Sequence, residues 1–289
     1  MTSERTHNPI LWSTISIALL VAVTAVAGIY WPAKTYAGET LYTAAGGVAS
    51  DLVDLLFVVP VLLISGIKGH RGSVPARLVW LGTLGYLLYN FVLYAFGVHF
   101  NALFFVYCAT LGLCFYATVF SVPLIPIDQV AQTYGPRAPR KTIAIFFLVL
   151  ALAFAAFDLP EDIAATLAGR VPQMAIAANH PVNFVHVLDF VFLLPGMCIT
   201  AFLLLRRKPS GYALASPLLT LLAIMNIELA VIMVVMALKG CFGMFYPMII
   251  SFAVLGVGSA LLLWIYFRSA KRTARLAAAG PAPGRGDVA

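Results

Sequence analysis

The 289 residues are 62% hydrophobic and only 10% charged, with a mean hydropathy of +0.97. A soluble domain carries about a quarter charged residues, so most of this surface must face lipid. The net charge of +7 sits in the gaps between apolar runs, which ties it to membrane topology and excludes nucleic acid as the partner.

Crossing a bilayer takes about 20 apolar residues, and eight stretches qualify. The first, Ile10 to Trp31, is longer than a signal-peptide core, so it is expected to be a retained helix despite the cleavage-like Ala25-Val26-Ala27. A polar segment, Pro32 to Gly47, leads to the second span, Val48 to Ile67, and the basic turn Lys68-Gly69-His70-Arg71-Gly72. The third span runs from Ala76 to Gly97, and the fourth ends near Pro123. A Pro-rich linker, residues 126–141, follows. The fifth span is expected from Thr142 to Phe157, then a separate short helix capped by Asp158, with Pro160 in its first turn and Gly169 at its end. Spans six to eight cover Asn183–Leu205, Tyr212–Leu238 and Phe245–Phe267, and the basic tail 268–289 has a disordered composition.

With the N-terminus inside, 15 of the 18 Lys and Arg residues fall inside, leaving Lys34, Arg170 and Lys239 outside. The positive-inside rule therefore puts both termini in the cytoplasm of a multi-pass plasma-membrane protein. All four tryptophans are expected at span ends, Trp12, Trp80 and Trp264 at the inner interface and Trp31 at the outer.

One string occurs twice. Asp54, Phe57 and Pro60 recur as Asp189, Phe192 and Pro195, an offset of 189 − 54 = 135. Asp51 is matched by His186, and Asn90 by Asn226 at 226 − 90 = 136. The expected fold is an all-α integral membrane protein whose eight helices form two parallel four-helix repeats, residues 1–125 and 142–267.

Residues i and i+3 share a helix face, so each repeat presents a polar pair, Asp51 with Asp54 and His186 with Asp189. Asn90, Asn226 and Glu228 lie at membrane depth, and His99, Asn101, His180 and Asn183 at the outer boundary. A charged carboxylate deep in a bilayer costs about 2.5–3.5 kcal/mol on insertion scales. Several together call for water, a cation or protons. Asp51, Asp54, Asn90, His186, Asp189, Asn226 and Glu228 are therefore the expected substrate- or ion-binding set. A divalent metal on Asp51, Asp54, His186, Asp189 and Glu228 would require the two repeated helices to face each other. Haem would need His99 with His186, on different helices. The four cysteines show no zinc or redox spacing, and no catalytic motif is present. The aromatic run Tyr86, Tyr89, Phe91, Tyr94, Phe96 and the small-residue run Gly256 to Ala260 are expected to serve packing.

Three classes fit: a small-solute or cation/proton-coupled transporter, a structural, sensory or accessory subunit with a membrane-protein partner, and a membrane-embedded metal enzyme. Beyond the bilayer, the expected partners are a small molecule or an ion.

Overall fold

The computed structural model describes residues 8–278, with side chains described for residues 10–270. His7, Arg5 and the Gly/Pro/Ala-rich end of the tail lie outside the described residues. The fold is 84% helical with no strands among the described residues. Eight helices are long and apolar enough to cross a membrane: α1 Ile10–Tyr30, α2 Leu41–His70, α3 Val74–Gly97, α4 Phe104–Leu124, α5 Arg140–Leu167, α6 Phe184–Leu205, α7 Pro209–Leu238 and α8 Tyr246–Ala270.

Four boundaries differ from expectation. Helix α2 begins at Leu41, capped by the Thr40 side chain, which accepts from the Thr43 N–H at 3.3 Å. Helix α5 does not stop at Asp158; it runs on through Pro160 to Leu167. A proline removes one helical hydrogen bond, whereas ending the helix inside an apolar layer would strand several backbone groups. Gly169 does terminate it, at a φ of 61°, and the Arg170 N–H closes the turn onto the Ala165 carbonyl. The linker contains a short helix, Ile127–Tyr134, whose Tyr134 ring stacks on Tyr266 of α8 at 4.8 Å. The last helix continues past Phe267 to Ala278.

Both Pro60 and Pro195 follow a widened turn. Asp54–Val58 and Asp189–Leu193 are π-helical, and the N–H groups of Val59 and Leu194 reach back to the carbonyls of Asp54 and Asp189. Proline has no N–H to give, and its ring would collide with the carbonyl four residues earlier. The wider turn accommodates this. Each π turn begins at a buried aspartate.

Helix α1 packs against α2 and α4, α2 against α3, and α3 against α4, so the first four spans close on themselves. In the second half α5 packs on α6, α6 on α7 and α7 on α8, while α7 also lies against α2 and α3. That seam depends on small residues. A Cβ on Gly82 would meet the Pro217 carbonyl oxygen at 2.4 Å, and one on Gly256 would meet Ile227 at 2.8 Å. Gly258 has nothing within 4 Å of its Cβ position, so only part of the Gly256–Ala260 run serves packing.

Trp12, Trp31 and Trp264 are exposed, as interfacial indoles should be, but Trp80 is buried. Its indole N–H donates to Thr14 Oγ1 of α1 at 2.9 Å. A polar N–H buried among helices needs such a partner, and the bond ties α3 to α1. A double-mutant cycle of Trp80→Phe with Thr14→Val, read by unfolding in detergent, should give a coupling of about 0.6 kcal/mol, typical of interhelical hydrogen bonds in membranes. Strict additivity would deny the bond any role in stability.

Candidate functional site

Helix α3 presents Tyr86, Asn90 and Tyr94 four residues apart, and that spacing aligns them on one face. This face meets the acidic pair of α2. Asp51 is fully buried; its Oδ1 accepts from Tyr94 Oη at 2.8 Å and its Oδ2 from Tyr36 Oη at 2.5 Å. Asp54 Oδ1 accepts from Tyr86 Oη and its Oδ2 from Asn90 Nδ2, both at 2.9 Å. Tyr36 lies between the first two spans, and burial, then the neighbouring Asp51 charge, holds its phenol well above the usual range. It therefore acts as a donor.

Glu228 of α7 completes the group. It is buried, and its carboxyl is close enough to act electrostatically on Asp51, Asp54 and Tyr86. The Tyr86 hydroxyl donates to Asp54 and accepts from Asn90 Nδ2 at 3.3 Å. A hydroxyl has one proton to donate. With that proton on Asp54, Tyr86 has none left to give Glu228. The cluster contains three carboxyls, and each of its donors is a neutral hydroxyl or amide.

Close approach of α1 makes this possible. A Cβ on Gly28 would lie 1.6 Å from Asp51 Oδ2, and one on Gly47 would lie 2.6 Å from the Tyr36 ring. Glycine is thus required where α1 passes the Asp51 carboxylate.

A second polar group forms where α5, α6 and α3 meet. His186 Nδ1 lies 2.8 Å from Asp162 Oδ2 and its Nε2 lies 3.4 Å from Asp158 Oδ1. A neutral imidazole can donate to only one of these carboxyls. Three residues further along α6, Asp189 Oδ1 accepts from Tyr89 Oη at 3.0 Å. Tyr89 belongs to α3, so one helix supplies donors to the acids of both halves.

Of the seven expected residues, Asp51, Asp54, Asn90 and Glu228 come together, and His186 and Asp189 form the second group. Asn226 joins neither: its Nδ2 donates to the Leu222 carbonyl of its own helix at 2.8 Å, and its Oδ1 is buried with no partner among the described residues. It serves α7 locally. The five-ligand metal set is divided, since Asp54 and Asp189 each turn toward α3 rather than toward each other. Among the described residues no three His, Cys, Asp or Glu side chains are grouped as metal ligands would be. The His99–His186 pairing meets an obstacle at His186, whose Nδ1 and Nε2 both face carboxyls of α5, while His99 Nδ1 lies 2.8 Å from Glu39 Oε1. Asn101 and Asn183 cap chain turns, Asn101 Oδ1 accepting from the Leu103 N–H and Asn183 Oδ1 from that of Val185.

Sequence reasoning missed Tyr36, Tyr86, Tyr89 and Tyr94 as donors, Asp158 and Asp162 as partners of His186, and Gly28. The four-residue spacing of Tyr86, Asn90 and Tyr94 was the available signal. No protein-family model matches the chain, and comparisons with curated proteins and with solved structures find no match.

Gly28→Ala should force Asp51 away from its two tyrosines and lower the unfolding free energy in detergent by about 1–3 kcal/mol, the usual cost of overpacking. Gly112→Ala, where a Cβ meets nothing within 4 Å, is the control. Equal midpoints for the two variants would contradict the close approach of α1 to Asp51.

Proposed function

We propose that this multi-pass membrane protein is a proton-coupled carrier of a small solute. The observation that supports it is the cluster of Asp51, Asp54 and Glu228, buried at membrane depth, in which the donors to Asp51 and Asp54 among the described residues are all neutral. Two carboxylates on one helix face, with Cβ atoms about 5–6 Å apart, repel by about 3 kcal/mol at an effective dielectric near 20. Among the described residues no Lys or Arg bonds to the cluster, so the group relieves that repulsion by binding protons. Intramembrane acids without a counter-ion are characteristic of proton relays.

The carrier reading includes a duplication. The twin π turns, each starting at a buried aspartate and followed by a proline, favour two related four-helix halves, the arrangement of parallel-repeat transporters. The basic turns at Lys68–Arg71 and Arg206–Lys208 then lie in the cytoplasm with both termini. Asp51 and Asp54 lie nearer the opposite face, where protons enter. The shift from Asp51 to His186 makes the halves unequal, with proton binding concentrated in the first.

Purified protein reconstituted on a solid-supported membrane and given a proton concentration jump should show a transient charge displacement. Asp54→Asn combined with Glu228→Gln should remove it while leaving the far-UV helical signal intact. A displacement of equal size in the double variant, or none in the wild type, would sink the proposal.

A further inference from the structure

Beside the second polar group lies a groove of about 1040 Å³ between α3, α4, α6 and α7. It is at the upper end of the volumes of ligand pockets, about 300–1,000 Å³. Its walls carry no charged side chain and are rich in aromatic rings, among them Phe96, Phe115, Tyr116 and Phe192. These four rings are exposed at the helix surface, so the groove opens sideways into the bilayer. Gly112 lines it, with nothing within 4 Å of a Cβ there.

The only polar group tied to an acid in this wall is Tyr89. Its ring lines the groove and its hydroxyl donates to Asp189. Leu188 and Leu193, on either side of Asp189 in α6, line the groove as well. A carboxylate therefore stands immediately behind an aromatic wall, in a region where lipid keeps the dielectric low. Aromatic faces attract cations, and a nearby carboxylate attracts them over a longer range. An anion would meet repulsion from both, and a neutral lipid tail would gain nothing from Asp189.

We propose that this groove binds a lipophilic organic cation, entering from the bilayer and held by the aromatic rings and the Asp189 charge. This names the substrate class of the carrier and rests on that reading for movement of the ligand. Binding itself does not depend on it.

The probe is radiolabelled tetraphenylphosphonium, measured by equilibrium binding to the full chain in lipid nanodiscs, with tetraphenylborate as an anion of the same shape. Saturable binding of one cation per chain is expected, with none of the anion. Asp189→Asn should weaken it at least about tenfold. Gly112→Phe, at a groove position where a Cβ meets nothing within 4 Å, should do the same at an unchanged thermal midpoint. Equal binding of cation and anion would overturn the charge selection. Undiminished binding to Gly112→Phe would place the site elsewhere, and no saturable binding, or a tightly held phospholipid that the cation fails to displace, would overturn the ligand class. Loss of the proton-jump displacement in the wild type would instead reject the carrier and leave the binding result standing.

Discussion

A carboxylate buried in a helical bundle must be given hydrogen-bond donors by the protein, because lipid has none. In this chain helix α3 meets that demand. Tyr86, Asn90 and Tyr94 point at Asp54 and Asp51, and Tyr89, on the flank of the same helix, points at Asp189. The rest of the fold is arranged so that the acids can reach this one helix. Helices α2 and α7 bring Asp51, Asp54 and Glu228 toward it, and α6 brings Asp189.

Such convergence depends on backbone proximity and on local departures from the α-helix. Glycines at 28 and 82 let α1 and α7 come close, one onto the Asp51 carboxylate and the other onto the α3 backbone. The π turns at Asp54 and Asp189 use the missing N–H of Pro60 and Pro195 to alter the register just where the acids leave the helix. π turns of this kind often occur at functional sites. Neutral donors satisfy a carboxylate without cancelling its charge. An acid held this way keeps a reason to take up a proton, which a salt bridge to Lys or Arg would remove.

Hydropathy made the eight spans legible, since a membrane helix is set by composition over a long window. The Asp54/Asp189 string was legible because an Asp and a Pro six residues apart rarely recur by chance in apolar sequence. Its partners were not. Tyr36, Tyr86, Tyr89 and Tyr94 are amphipathic residues in apolar surroundings, and only three-dimensional packing separates a donor from a core ring. Asp158 looked like a helix cap because it precedes Pro160, yet α5 continues through both, as the bilayer penalises a break in backbone bonding. The five expected metal ligands do not assemble among the described residues, because Asp54 of α2 and Asp189 of α6 each turn to α3. Asn226 matched Asn90 in position but turned to its own backbone.

The central claim is that the Asp51–Asp54–Glu228 cluster holds an exchangeable proton. Infrared difference spectroscopy across a pH step resolves the carbonyl stretch of a protonated carboxyl directly. A buried carboxyl band should change across the step in the wild type and be lost in Asp54→Asn with Glu228→Gln. Superimposable difference spectra from the wild type and that variant would contradict the account.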